Sequence, residues 1–528
     1  MRVGCASPEY ISDLEQRTKA NEKKLMQLDR LLKNHLSECT DVRRPADPTP
    51  STQVMQANEL EEPWDEDATT NGMAMTFLEE RTSAFYGESS NLGFARFLLR
   101  ATIAMNHSGS SAQSSGNSTQ DGVLVKYSRA RLSGSGTSPP AIGTETSDTV
   151  LTILPSIEAM ENMLEIFFDH AGMVFPFIHK DTVWQQYNDF KAKGFTKARR
   201  TWLGTLNMIF AMAAMFDQNE EDTASRKSRF QRSDVYFQRA KRLCDDLSKR
   251  IISLEIVHYL ILVVIHCQGA QRSVQAWNLH GLLVRSAIAL GLHSNYSRDG
   301  IDSETAEAHR RTWLVIYGLD RLLSMVYGRP MAITDTQMTP IILTSTSTPN
   351  PQGDSDSISD FAGQFLIVSS RLYQIMGVSL IKQYGGNVHN VDADVDDLNS
   401  LQTSDEIRKD LRHWIANLSP DLQLCSPQSA VLLESTQANR LRVILTLRYH
   451  NLNILVHRPL LSMVIRHLLR TDVTSRVNLP YLVQLARAGA HECTQSAEAT
   501  IEMVYAIVTT NATTKSNLGV WFFTLYYG

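Results

Sequence analysis

The sequence predicts an all-α protein: a large multi-helix bundle of solenoid-like character, preceded by a short coiled-coil helix and disordered linkers. Three observations support this class. From Leu154 onward, long segments with helical apolar periodicity alternate with short polar breaks. The alternating pattern of half-buried strands is nearly absent from the same region. A Ser-, Gly- and Thr-rich stretch over residues 107–148 is too polar to build a core and predicts a disordered loop.

Composition describes an ordinary globular chain. The protein has 528 residues, is 43% hydrophobic and carries a formal net charge of −5. This balance argues against a chain that coats nucleic acid. The start of the sequence lacks the apolar run of a secretory signal. Residues 251–267 form the most apolar stretch, but Glu255, His258 and His266 interrupt it, so we expect a buried helix and no membrane association.

The cysteines exclude a metal site built from this sequence alone. The chain contains six cysteines, scattered without a Cys-x-x-Cys pair. They form neither a disulfide framework nor a zinc-binding pattern, and we expect reduced, intracellular thiols.

Residues 1–40 are predicted to contain a coiled-coil dimerisation helix. A heptad pattern of apolar residues runs through residues 10–36, with charges on the outer face. A solvated amphipathic helix packed on its own domain is the alternative. The positions of the predicted dimer seam are Ile11, Leu14, Leu25, Leu28 and Leu32.

Two regions separate this helix from the main domain. Residues 41–84 are acidic and Pro-rich and predict a flexible linker, with an activation segment as the alternative. Residues 85–148 open on an aromatic-Gly-x-Ser-Ser phrase, in which Gly87 permits a turn and Ser89 or Ser90 caps a following helix. The Ser/Gly-rich loop completes this region.

Residues 149–528 form the predicted helical domain. Its first helix begins after Leu154-Pro155, and a Met-lined helix covers residues 201–216. Ser253 is placed to cap the apolar helix that follows it, and Gly291 to end a Trp-bearing helix over residues 275–293. Further helices are predicted at residues 371–383, 406–418, 435–456 and 486–508.

The segment over residues 309–333 organises this domain. Trp313, Tyr317 and Asp320 recur at helical spacing, and paired charges share the helix. Gly328 is placed to end the helix, and Pro330 cannot continue it.

The amino-acid sequence of this segment resembles the signature of the fungal-specific transcription factor domain, the middle homology region of zinc binuclear cluster regulators. Further phrases of that family recur in the same order, including the aromatic-Gly-x-Ser-Ser phrase and a second helix ending in His-Arg-Pro. The residues that match the family signature are Arg310, Arg311, Trp313, Tyr317, Asp320, Arg321, Gly328, Arg329, Pro330, Trp277, His457, Arg458 and Pro459.

The resemblance implies a nuclear regulator of RNA polymerase II genes, in a metabolic or biosynthetic pathway. It implies pairing with itself or a related zinc-cluster factor through the coiled coil, contact with promoter DNA directly or through the partner, contact with the transcription machinery, and a possible small-molecule effector. The six-cysteine DNA-binding module of the family is missing from this sequence. Cys5 could be its last ligand, and zinc is expected only if a cluster precedes Met1. The family also implies that the helical domain continues beyond residue 528.

The residues are also compatible with two other classes of protein. One is a helical interaction scaffold, or a partner-dependent co-regulator that does not itself bind DNA. The other is a helical enzyme using His450, His457 or Arg458. Because the sequence places no acidic partner near these histidines, we expect them to make helix–helix hydrogen bonds, and we predict no catalytic residue. His179 is likewise expected to be structural.

Overall fold

The computed structural model describes residues 82–107, 123–127, 154–216, 223–294, 302–337, 357–385, 393–434, 436–470 and 481–510. All of them belong to one compact unit spanning residues 63–528. The predicted coiled-coil helix with its seam positions, Cys5, and most of the acidic linker and of the Ser/Gly-rich loop lie outside the described residues. The linker was predicted to reach residue 84, but residues 82–84 lie in a strand.

The described residues form an almost entirely helical body. Its elements in chain order are β1 (Thr82–Tyr86), α1 (Asn91–His107), β2 (Val123–Tyr127), α2 (Ile157–Phe167) with a π-turn (Phe168–Gly172), α3 (Lys180–Ala192), α4 (Arg200–Phe216), α5 (Thr223–Cys244), α6 (Leu247–Arg250), α7 (Leu254–Gly269), α8 (Ser273–Ala289), α9 (Ser303–Tyr327), α10 (Ser357–Lys382), α11 (Ala393–Ala416), α12 (Gln437–Arg470) and α13 (Tyr481–Thr510). The predicted all-α class is confirmed.

One strand pair departs from that prediction. β1 and β2 pair antiparallel, with Thr82 opposite Tyr127 and Tyr86 opposite Val123. The prediction of a loop throughout residues 107–148 is therefore wrong at β2. The run Val-Leu-Val-Lys-Tyr has strand propensity of its own, which the surrounding Ser and Gly residues obscured.

Two apolar helices lie at the centre of the body. Nearly every residue of α7 from Ile256 to Gln268 is buried, and in α4 the Met208 and Met212 side chains are at most 2% exposed. The methionine-lined helix is therefore core, as predicted. Among the described residues, one helix is long and apolar enough to cross a membrane, Phe361–Lys382 in α10, and 56% of its most apolar window is buried inside the protein. Its contacts with α9, α11 and α12 are those of a core helix.

The predicted helix boundaries are confirmed where a cap defines them. The Ser90 hydroxyl accepts a hydrogen bond from the Gly93 N–H at the start of α1, and Ser253 does the same for Ile256 at the start of α7. Gly291 has a φ of 74° just past α8, and Gly328 has a φ of 60° just past α9. Glycine adopts this left-handed conformation at little cost, which ends both helices at those positions.

The predicted end of α12 at Val456 is wrong, because the helix passes through Pro459 and continues to Arg470. A proline cannot donate a hydrogen bond to the carbonyl four residues earlier, here that of Leu455. The Tyr384 hydroxyl donates to that carbonyl instead, at 2.6 Å. The neighbouring Val456 carbonyl accepts additional hydrogen bonds from Gln383 and Ser404. The Tyr384 side chain, just after α10, thus replaces the backbone donor that Pro459 removes.

Candidate functional site

The signature residues of α9 build a buried ionic network. Asp320 and Arg321 are both fully buried, and their side chains pair at 2.8 Å. Asp320 also faces the His280 ring of α8 at 3.1 Å and accepts the backbone N–H groups of Ala332 and Ile333. The network therefore holds the turn after Gly328 against the helix that precedes it.

Arg321 and Tyr317 close the network on its other side. The Arg321 guanidinium donates to the Ile333 carbonyl and to the Asp335 carboxylate, the latter at 2.6 Å. The Tyr317 hydroxyl donates to the same carboxylate oxygen at 2.5 Å, and Arg321 stacks 4.1 Å from the Tyr317 ring. Burial of the charged Asp320 and Arg321 side chains is tolerated because each is ion-paired and hydrogen-bonded.

Burial opposes ionisation of Asp320, but its hydrogen bonds and neighbouring charges prevail. The hydrogen bond and charge of His280, the charge of Arg321 and the Ala332 N–H together hold the pKa of Asp320 below its ordinary value. The carboxylate is therefore charged at neutral pH and acts as the anchor of the turn.

The Gly-Arg-Pro turn also receives the strand that lies far upstream in the sequence. The Gly87 N–H donates to the Gly328 carbonyl at 3.2 Å. A Cβ on Gly328 would lie 2.4 to 2.6 Å from the Gly87 backbone, so only glycine permits this approach. Arg329 donates to the Phe85 carbonyl and lies over the rings of Tyr86, Trp277 and Tyr327 at 5.0 to 5.3 Å.

The His-Arg-Pro phrase of α12 reaches the same place. Arg458 donates to the Ser89 carbonyl at 3.2 Å and to the Asn91 side chain at 2.7 Å, and it stacks on Phe94. We call the meeting point of the Phe85–Asn91 phrase, the Gly328–Pro330 turn and Arg458 the signature junction. Three sequence motifs, each more than 100 residues from the next, thus come together at this place in the fold.

The remaining signature residues support the junction from nearby. Trp313 is fully buried in the core. Arg310 and Arg311 both donate to Glu307 one turn earlier in α9, at 2.6 and 2.7 Å. Trp277 is half-buried under Arg329, and Pro330 is exposed.

His457 lies in a second polar cluster, and one assumption of the sequence analysis is wrong there. An acidic partner is present: Glu492, contributed by α13, lies 3.3 Å from the His457 ring and 3.2 Å from Arg408. Helical periodicity could not have revealed this contact, because it depends on how α12 and α13 pack.

His457 is nevertheless built into the helix contact. Its Nδ1 donates to the Asn453 carbonyl at 2.8 Å, and its Nε2 faces Arg408 at 3.4 Å. Burial lowers the pKa of His457, so the ring is neutral and accepts from Arg408. Both ring nitrogens are thus engaged in a side chain that is fully buried, which leaves neither to act on a substrate.

A groove opens beside this cluster, with a cavity volume of about 450 Å³. It lies between α11, α12 and α13. His450 lines it, and burial lowers the pKa of His450 to about 4. His450 is therefore neutral at physiological pH.

The described residues do not fit a zinc ion. They contain no cluster of three or more His, Cys, Asp or Glu side chains with metal-binding geometry. Burial raises the pKa of the Cys244 and Cys267 thiols to about 12, whereas zinc is bound by thiolates.

The described residues thus define an all-α domain in which three distant motifs meet at the signature junction. A family profile described as the fungal specific transcription factor domain matches residues 164–416. No solved structure has significant similarity to this chain.

Named relatives agree with the family match. Transcription factor FBD3 of Gibberella moniliformis is 48% identical, over 98% of this chain and 71% of its own length. Transcription factor FBD3 of Fusarium pseudograminearum is 47% identical over the same shares. The acetamidase regulatory protein of Aspergillus fumigatus is 23% identical, over 58% of this chain and 36% of its own length. This chain belongs to the family of fungal transcription factors that carry the fungal specific transcription factor domain.

Proposed function

We propose that this chain is a nuclear regulator of RNA polymerase II transcription, acting on genes of a metabolic or biosynthetic pathway through its helical domain. The observation that carries the proposal is the signature junction. The family motifs after α9 and on α12 both contact the motif before α1, through Arg329 and Arg458, as expected for motifs that act together in one regulatory body.

The helical domain has a regulatory and not a catalytic role in this proposal. The strongest acid–base candidate, His457, is buried with both ring nitrogens engaged. The family is one of transcription factors, which supports the same assignment.

Expression profiling of a strain lacking the gene tests the proposal. We expect a small set of genes, clustered by metabolic pathway, to change at least severalfold, with a tagged chain found in the nucleus and cross-linked at their promoters. A tagged chain that stays in the cytoplasm, with unchanged transcripts, would refute the proposal.

Dimerisation and DNA contact form a separate part of the proposal. The coiled-coil positions Ile11, Leu14 and Leu25 would pair this chain with itself or a related zinc-cluster factor. DNA contact needs cations at phosphates and donors at base edges. Residues 226–242 form a basic stretch within the helical domain, with seven Arg or Lys and one Asp. Zinc would enter only through a six-cysteine cluster, in this gene product or in the partner.

Gel-shift assays with the purified chain separate direct from partner-dependent DNA contact. Promoter occupancy in cells combined with no shift by the purified chain would assign recognition to the partner. A scaffold or co-regulator that never reaches promoters is the second candidate, and it predicts no promoter occupancy at all.

A further inference from the structure

The groove beside Glu492 is assembled from one face of each of three helices. Arg408 and Arg412 come from α11, Tyr449 and Asn453 from α12, and Glu492 from α13. Its volume of about 450 Å³ lies within the range of small-molecule sites, which is roughly 300–1,000 Å³. A ligand here would touch three helices at once.

The charges in the groove favour an anion. Two arginines face one glutamate, and His450 is neutral, which leaves one positive charge in excess. Arg408 forms an ion pair with Glu492 at 3.2 Å, so its charge is already compensated. Arg412, one turn further along α11, is exposed at the rim, where its guanidinium can bind a carboxylate through paired hydrogen bonds.

The Tyr449 phenol lies close enough to Glu492 and Arg412 for their charges to influence its pKa. Burial raises the pKa of Tyr449, the charge of Glu492 raises it further, and the charge of Arg412 lowers it. The Tyr449 ring lies parallel to the buried Trp414 ring, with a centroid distance of 6.1 Å and an interplanar angle of 4°. Its orientation is therefore fixed before any ligand binds, which reduces the entropic cost of binding.

The groove also offers apolar surface and hydrogen-bonding groups beyond the charges. Leu411 lies beside Tyr449 in the lining, and the Asn453 amide donates to Ser496 at 2.8 Å. The half-buried Tyr449 ring, a few fixed polar groups and one excess cation together suit a small organic acid with a planar body.

We propose that this groove is an effector site for a small aromatic carboxylate, whose carboxylate pairs with Arg412 while its ring packs along Tyr449 and Leu411. The effector role rests on the proposed regulatory function, whereas the binding itself does not. Because the ligand contacts α11, α12 and α13, its binding stabilises one arrangement of these helices over others.

Binding to the purified full chain tests the proposal, with phenylacetate as the probe and ligand-observed NMR or calorimetry as the readout. We expect saturable binding in the millimolar range. Phenylacetamide, which keeps the ring but lacks the charge, should bind at least tenfold more weakly, as should acetate, which lacks the ring. This comparison on the unaltered chain requires no variant to fold.

Variants identify the groove as the place of binding. Arg412→Gln should weaken phenylacetate binding at least tenfold and leave phenylacetamide unchanged, because glutamine keeps a hydrogen-bond donor but lacks the charge that pairs with a carboxylate. Arg250→Gln, at an exposed arginine outside the groove, should leave both unchanged. Equal binding of acid and amide, full binding by Arg412→Gln, or no saturable binding would each overturn the proposal.

The outcome is distinguishable from failure of the proposed function. A chain that controls its genes but does not bind phenylacetate refutes only the groove. A chain that binds phenylacetate through Arg412 but never changes transcription refutes only the regulatory role.

Discussion

At the scale of single residues, Asp320 has the largest set of partners in the signature network. Its two carboxylate oxygens are shared among His280, Arg321 and two backbone N–H groups. Replacing this buried carboxylate by a neutral group would leave Asp335 as the remaining ion-pair partner of the buried Arg321 and would remove acceptors from His280 and two backbone N–H groups.

We therefore expect Asp320→Asn to lower the free energy of unfolding by about 3 kcal/mol or more, measured by urea denaturation. The matched control is Asp246→Asn, which removes a carboxylate from an exposed ion pair with Arg250 and should cost less than about 1 kcal/mol. Equal losses in the two variants would contradict this account of the network.

Gly328 provides a second test at this scale, through backbone conformation. Gly328→Ala places a methyl group within 2.6 Å of the Gly87 backbone and keeps an unfavourable positive φ. We expect a loss of stability above about 2 kcal/mol in thermal or urea denaturation.

Gly281→Ala is the control for this glycine. Gly281 lies inside α8 with no atom within 4 Å of the added Cβ. Since alanine favours helix over glycine, this variant should be as stable as the parent or gain up to about 1 kcal/mol. A Gly328→Ala protein as stable as Gly281→Ala would show that the close approach to Gly87 is unimportant.

At the scale of elements, the passage of α12 through Pro459 depends on a neighbouring hydroxyl. Tyr384→Phe removes the hydroxyl that donates to the Leu455 carbonyl, at a position where Pro459 provides no backbone donor. We expect a destabilisation of about 1–3 kcal/mol, because a buried carbonyl is left unpaired.

A double-mutant cycle isolates this effect. In a Pro459→Ala background the backbone N–H of the introduced alanine can supply the missing bond, so Tyr384→Phe should then cost well under half as much. Tyr481→Phe, at a tyrosine that is 73% exposed, is the control and should be neutral. If Tyr384→Phe lowered the free energy of unfolding equally in the Pro459→Ala background, the Tyr384 hydroxyl would not be replacing the missing backbone donor.

The elements also show what the sequence can and cannot predict. Ser90, Ser253, Gly291 and Gly328 mark helix ends correctly, because capping is decided by a few neighbouring residues. The predicted end at Val456 was wrong because the helix continues through Pro459, and the compensating hydrogen bond comes from Tyr384, which is 75 residues away in the chain.

The candidate site divides in the same way. The family resemblance selected Arg329 and Arg458 as signature residues, but no periodicity indicates that both reach the phrase containing Gly87 and Ser89. Glu492 was missed beside His457 because its helix was recognised only as a last Ala-rich segment. Contacts between distant segments are set by packing, which a single sequence does not record.

At the scale of the whole molecule, buried neutral histidines set the response to acid. Burial lowers the pKa of His258 and His266 to about 3, and that of His450 to about 4. In the unfolded chain these groups titrate near 6.5, so the unfolded state takes up protons first as the pH falls.

Between about pH 7 and 8 these histidines should leave stability unchanged, and stability should decline as the pH falls from about 6.5 towards 4, by about 1.4 kcal/mol per pH unit for each neutral histidine. Urea denaturation at pH 7.5, 6.0 and 5.0 measures this slope. His266→Gln removes one such group and should make the decline shallower. A His266→Gln protein with the parental slope would contradict the assignment.

The contact of Arg329 and Arg458 with the phrase around Gly87 has a practical consequence. Residues 85–94 are held to the rest of the body by hydrogen bonds and ring stacking with Arg329 and Arg458, which lie more than 200 residues later in the chain. A protease cut between residues 128 and 153 would therefore leave two fragments associated without a peptide link. The chain could be expressed as a split protein at that position, with reassembly of the halves reporting on the integrity of the junction in living cells.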